Sequence, residues 1–177
     1  MAKYHVMHEG GEPAVDLAAV AADFDWTWSE TDVGRFAAVM GWDLGPWSPD
    51  SGSSIRTHLP VASPLARPFV DGNLKYVHIG VSDRFDTEDQ AGKEALYERF
   101  KQLGRGMKDR LGDARIEVLR RGFGLRFCWS RPLVFVELVG YSRQGIHLRL
   151  TNPEYEAWMQ MVTADDDDDG WVYGYER

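Results

Sequence analysis

The fold is decided by residues 115–150, which read RIEVLRRGFGLRFCWSRPLVFVELVGYSRQGIHLRL. Four short segments in this stretch alternate apolar and polar side chains in the two-residue rhythm of β-strands, as in Ile146-His147-Leu148. The third segment, residues 133–139, is apolar on both faces and is predicted to be a central strand. Short Gly-containing turns separate the segments, so the sequence predicts an antiparallel meander.

Helical patterns surround this meander. Residues 96–111 repeat apolar side chains every three or four positions, which predicts a long helix. Similar signals predict helices over residues 13–23, 33–40 and 153–162, and residues 74–81 alternate as a further strand. Strands that cluster after a helix indicate an α+β fold, with an antiparallel sheet of about five to six strands and helices packed mainly on one face.

The length of 177 residues suits one domain. We expect a single α+β domain over residues 1–164 and an acidic C-terminal tail over residues 165–177. No apolar run approaches the roughly 20 residues that span a bilayer, and no export signal is evident at the N-terminus. The expectation is a cytoplasmic protein without a membrane partner. The lone Cys128 excludes an internal disulfide bond and a multi-thiolate metal site.

The charge is unevenly distributed along the chain. Residues 93–149 have a net charge of +7, whereas residues 150–177 carry one basic and eight acidic side chains, a net charge of −7. The total of −8 argues against nucleic acid as a partner, because phosphate backbones require a positive footprint. An acidic surface is instead suited to attracting a basic protein partner, although the charges can also simply compensate each other within the molecule.

A candidate binding loop follows the second predicted helix. Residues 43–73 are punctuated by glycines and prolines, which predicts a long irregular segment with one short strand over residues 54–59. Trp47 lies in this segment between Asp43 and Asp50, so these three residues are the candidate partner-binding set. The alternative for Trp47 is a loop side chain that packs onto the body of the protein.

The C-terminal tail has the spacing of a calcium-binding loop. Its candidate ligands are Asp165, Asp167, Asp169 and Glu176. Since only Arg177 follows Glu176, no second helix is expected to hold this carboxylate, and a run of aspartates meets the pattern by composition alone. We therefore expect a solvated acidic tail, with no metal and no cofactor.

No catalytic motif is present. His78 and His147 lie in predicted strands and are expected to be hydrogen-bonded structural residues, and Cys128 is expected to fill a small space in the core. The apolar patterns also predict which bulky side chains meet. Trp42, together with either Trp26 or Trp28, is expected to be buried, and a single core is expected to contain Phe36, Phe100, Val136, Leu148 and Trp158.

Two parts of the sequence resemble a bacterial family of small uncharacterised proteins. The first is FDWTWSETDV at residues 24–33, continuing to MGW at residues 40–42, and the second is residues 134–158, which end in a Tyr-x-x-Trp pattern. Such proteins resemble immunity proteins of polymorphic toxin systems. The resemblance implies a non-enzymatic inhibitor that binds and blocks a cognate secreted toxin, and it transfers no site residues. The acidic charge of the chain suggests that this partner is a basic protein.

Two other classes of function remain open. A secretion chaperone or adaptor would also be acidic, and it should show an exposed apolar groove and form homodimers. An enzyme with an unrecognised carboxylate or histidine site should show a deep pocket with converging polar groups. An inhibitor should instead present a protruding loop or a flat acidic face.

Overall fold

The computed structural model describes residues 12–48, 52–118, 125–141 and 144–165. These residues form one antiparallel sheet with the strand order β1-β2-β3-β4-β8-β7-β6-β5. Two four-stranded meanders are thus joined where β4 pairs with β8. The elements are, in chain order, α1 (Pro13–Asp23), α2 (Thr31–Met40), β1 (Asp43–Ser48), β2 (Gly52–Arg56), β3 (Leu65–Asp71), β4 (Asn73–Gly80), α3 (Gln90–Leu111), β5 (Arg115–Val118), β6 (Leu125–Ser130), β7 (Phe135–Tyr141), β8 (Gly145–Thr151) and α4 (Pro153–Asp165).

The predicted α+β class and antiparallel meander are confirmed, but the sheet has eight strands rather than five or six. Strands β1 and β3 occupy stretches predicted to be irregular, whereas β2 overlaps the predicted strand over residues 54–59 at residues 54–56. Gly45 lies at a register shift in the edge strand β1, where a Cβ would stand 2.7 Å from the Ser54 carbonyl oxygen. Pro68 lies in β3 beyond Ala66, the last residue of β3 that pairs with β2. Glycine and proline are tolerated at such bulges and edges, so here they do not mark a loop.

The core lies between one face of the sheet and helices α1 and α3. The side chains of Phe100, Val136 and Leu148 are fully buried there and belong to the same apolar cluster as Phe36, as expected. Trp158 was wrongly assigned to this core, because its side chain is 52% exposed. Helix α4 instead packs on the opposite face of the sheet, where Tyr155 lies against β4. Periodicity predicted the helix correctly, but the sheet covers only part of the helix's apolar side.

The N-terminal aromatic side chains form one cluster within this core. Trp26 stacks on Trp28 with ring centroids 4.7 Å apart, and Trp42 is also buried, as predicted. The buried Asp32 carboxylate accepts the backbone N–H groups of Thr27 and Trp28, at 2.6 Å and 2.7 Å, and so fixes the turn that leads into helix α2.

Candidate functional site on the distal face of the sheet

The face of the sheet opposite α1 and α3, here called the distal face, is polar and aromatic rather than apolar. Because successive strand residues point to opposite faces, Val77 and Ile79 enter the core while their neighbours point to the distal face. The residues that share the distal face include Arg67, Tyr76, His78, Arg126, Cys128, Glu137, Tyr141, His147 and Arg149.

Ion pairs cross the distal face at the β5–β8 end. Arg126 Nη1 donates to Glu137 Oε1 at 2.6 Å, and Arg126 Nε donates to Glu117 Oε2, also at 2.6 Å. Arg149 Nε lies 3.7 Å from Glu137 Oε2. Burial raises the pKa of Glu137, whereas Arg149 and Arg126 favour its charged form. Each charged side chain in this network pairs with one on a neighbouring strand. These ion pairs therefore connect β5 to β8 and have a structural role.

The two strand histidines form a stacked pair. The rings of His78 on β4 and His147 on β8 lie 4.4 Å apart between centroids, with an angle of 8° between their planes. They are diagonal neighbours, because His147 pairs with Gly80 while His78 pairs with Arg149. Gly80 has no side chain, so the space beside the stacked rings remains open.

That space is a pocket of about 600 Å³. Its wall is formed by the two imidazoles, two arginines and several polar groups of the loops that follow β2 and β4. The lining residues are Ala62, Ser63, Leu65, Arg67, His78, Gly80, Ser82, Asp83, Arg84, Gln144 and His147.

Both imidazoles in this pocket are neutral near pH 7. Burial lowers the pKa of His78 to about 3, assisted by His147, Arg149 and Arg67. Burial also lowers the pKa of His147, although its contact with the Gln144 carbonyl oxygen opposes the shift. His147 Nε2 lies 3.2 Å from that oxygen, and its Nδ1 is buried without a hydrogen-bond partner among the described residues.

A row of aromatic side chains, here called the aromatic row, runs from β3 over β4 to α4. Phe69 stacks on Tyr76 at 5.0 Å, Tyr76 lies 6.2 Å from Tyr155, and Tyr155 stacks on Trp158 at 5.6 Å, between ring centroids. Phe69 is 42% exposed and Trp158 is 52% exposed, so both ends of the row face solvent. The exposed side chains of Met161 and Val162 extend the apolar surface along α4.

Two of the three predicted partner-binding residues, Asp43 and Trp47, lie at the far edge of the sheet from β5. Asp43 begins β1 and is exposed, with its Oδ2 3.4 Å from His58 Nε2. Trp47 pairs with Ser53 in the edge strand, so it is not in a loop as predicted. Asp50 lies outside the described residues. The structure therefore places Asp43 and Trp47 on one edge strand, and their role in binding stays a prediction.

The candidate calcium ligands are largely outside the described part of the chain. Asp165 is the last residue of α4, whereas Asp167, Asp169 and Glu176 lie beyond it. Within residues 12–48, 52–118, 125–141 and 144–165, no three His, Cys, Asp or Glu side chains are grouped closely enough to hold a metal ion. Over the same residues, no helix has the length and apolar character needed to cross a membrane.

Cys128 is buried, on the distal face of the sheet, and burial raises the pKa of its thiol to about 12, which disfavours the thiolate. The stacked histidine pair and the aromatic row were not foreseen. Strand alternation places His78 and His147 on polar faces, which was the available signal. Alternation does not show that the two histidines meet. That prediction also requires knowing that β4 pairs with β8, and in which register.

The chain belongs to DUF6301, a family of unknown function, whose model matches residues 12–152. The match runs from the start of α1 through β8 and stops just before α4. No curated protein and no solved structure matches the chain.

Proposed function

We propose that this protein is a non-enzymatic, cytoplasmic, immunity-type inhibitor that binds a basic, secreted protein toxin and blocks it. The docking surface in this proposal is the aromatic row together with the exposed side chains of α4. The observation that carries the proposal is the row itself, which ends at the half-exposed Trp158 and continues into Met161 and Val162.

Exposed aromatic side chains of this kind favour a protein partner. Interface hot spots are enriched in Trp and Tyr, since a large ring gains much from desolvation and loses little side-chain entropy. Trp158 is held by stacking on Tyr155, and Lys75 Nζ lies 5.9 Å from the Tyr155 ring centroid. The anchor is therefore partly ordered before any partner arrives, which lowers the entropic cost of association.

The charge around this surface favours a basic partner. Helix α4 lies within residues 150–177, the segment with a net charge of −7. Such a segment accelerates encounters with a positively charged protein, while affinity rests on the desolvated aromatic anchors. In this proposal Asp43, Trp47 and Asp50 form a second contact, since the edge strand β1 presents backbone groups that no neighbouring strand of the sheet covers.

Two alternatives keep specific support. A secretion chaperone or adaptor would use the same exposed apolar surface on α4, and a stable homodimer in solution would favour it. An enzyme is favoured by the pocket beside His78 and His147, because converging polar groups and neutral imidazoles suit acid–base chemistry. Turnover of a nucleotide or peptide by the isolated protein would replace the inhibitor proposal with this one.

The proposal is tested by binding kinetics against the product of a toxin-like gene adjacent to this protein's own gene. Trp158→Ala should speed dissociation roughly tenfold or more if Trp158 is a hot spot worth above about 1.4 kcal/mol. Tyr97→Ala is the matched control, because Tyr97 is a similarly exposed aromatic residue on α3, away from the aromatic row. Absence of binding, or equal effects of the two variants, would contradict the proposal.

A further inference from the structure

We propose that the pocket beside the stacked histidines binds a small molecule through a phosphate group, held between Arg67 and Arg84. This site is separate from the aromatic row and does not depend on the inhibitor proposal. The pocket volume of about 600 Å³ is within the range of ligand sites and exceeds the space that a single ion needs.

The charges that line the pocket favour an anion. Arg67 and Arg84 both line it, and neither forms a salt bridge with a carboxylate of the described residues. Asp83 is the only acidic residue in the described lining, and its Oδ1 already accepts the backbone N–H of Ala62 at 2.5 Å. Two guanidinium groups that line one cavity match the two charges of a phosphate monoester.

One wall of the pocket is built by contacts of the Ser82 hydroxyl with backbone groups. Ser82 Oγ accepts the backbone N–H of Ile146 at 2.8 Å and donates to the Asp83 carbonyl oxygen, also at 2.8 Å. Gly145 has φ +93°, and a Cβ there would stand 2.6 Å from that carbonyl oxygen, so only glycine allows this close approach. The loop after β4 is thus locked onto the start of β8, which fixes one wall of the pocket.

Gly80 leaves open space in the pocket because it has no side chain. It is on the distal face opposite His147, and the nearest atom to a Cβ placed on it would be the Ser63 carbonyl oxygen at 3.8 Å. A larger side chain at Gly80 would therefore extend into the cavity while leaving both arginines in place. This residue gives a way to block the pocket without changing its charge.

Anion binding should be linked to protonation of His147. The charged groups that line or adjoin the pocket are Arg67 from β3, Arg149 from β8, and Asp83 and Arg84 from the loop after β4; the titratable neighbours of the ring are His78 and Tyr141. An anion between the arginines offsets their repulsion of a charged imidazole. Binding should then take up a proton and strengthen as the pH falls from about 8 to about 6.

The test uses the full chain, inorganic phosphate as the probe, and NMR of the imidazole resonances. We expect saturable shifts of the His147 resonance at constant ionic strength, and chloride should produce none. Arg67→Gln and Arg84→Gln should each weaken binding about five- to tenfold. Arg56→Gln is the matched control, since Arg56 is an exposed arginine of β2 outside the pocket lining.

Two further measurements separate a built site from general attraction to positive charge. Gly80→Val should abolish the shifts if the anion enters the cavity, with the fold checked by its amide spectrum. Sulfate, which stays a dianion over this range, should bind more tightly at about pH 6 than at about pH 8. Equal weakening by Arg56→Gln, unchanged binding in Gly80→Val, or no saturation would each overturn the proposal.

Discussion

Acidification between about pH 7.5 and about pH 5.5 should destabilise this protein through its buried histidines. The imidazole of His78 is buried and its pKa is lowered from 6.5 to about 3. Protonation is therefore easier in the unfolded chain, and the free energy of unfolding falls as the pH drops below the unfolded pKa. Linkage gives a loss of about 1.4 kcal/mol over this interval from His78 alone, and the lowered pKa of His147 adds to it with the same sign.

Urea denaturation at the two pH values, without phosphate or sulfate in the buffer, measures this loss. Carboxylates of ordinary pKa, about 4, stay ionised at the lower pH and contribute little, and the raised pKa of Glu137, which acts with the opposite sign, is shared by the wild type and the variants compared. His78→Phe keeps a ring against His147 and should remove the share of the loss that comes from His78, about 1.4 kcal/mol. His58→Asn should keep it, because the His58 side chain is exposed. A wild-type loss below about 0.5 kcal/mol, or an undiminished loss in His78→Phe, would refute the reasoning.

Three other predictions concern stability and the C-terminal tail. Trp158→Ala should cost less than about 1.5 kcal/mol in urea denaturation because the side chain is half exposed, whereas Phe100→Ala in the closed core should cost about 3–5 kcal/mol. Gly45→Ala should cost about 1–3 kcal/mol because a Cβ would stand 2.6 Å from Ser54 Oγ and 2.7 Å from its carbonyl oxygen; a thermal melt without change would contradict this close approach. Deleting residues 166–177 should leave a cooperatively folding protein, and millimolar calcium should not raise the melting temperature of the full chain; calcium binding seen by calorimetry would reject the solvated-tail prediction.

The regular parts of the fold were predictable because their signals are local. Alternation along β4 and β8 and the apolar repeat of α3 each identify an element from neighbouring residues alone. The edge strands could not be recognised in the same way. Gly45 and Pro68 are typical turn residues, yet both lie in strands. The sheet accommodates Gly45 at a register shift in β1, and it accommodates Pro68 because the pairing of β3 with β2 ends at Ala66.

The candidate site was less predictable than the fold because it depends on distant pairings. His78 and His147 are 69 positions apart and meet only through the register of β4 with β8. The periodicity of α4 correctly placed Tyr155 and Trp158 on one side of a helix. It could not show how much of that side the sheet would cover, and Trp158 was therefore assigned to the core.

Docking of a basic protein partner on the aromatic row and α4 is a proposal that can be tested directly. Hydrogen–deuterium exchange of the full chain, alone and with the candidate partner protein, is the measurement. The account predicts slower exchange on binding in Pro153–Asp165 and Leu65–Asp71, the segments that present Trp158 and Phe69. Protection confined to other segments, such as Arg115–Val118 at the opposite edge of the sheet, or no protection at all, would contradict the claim.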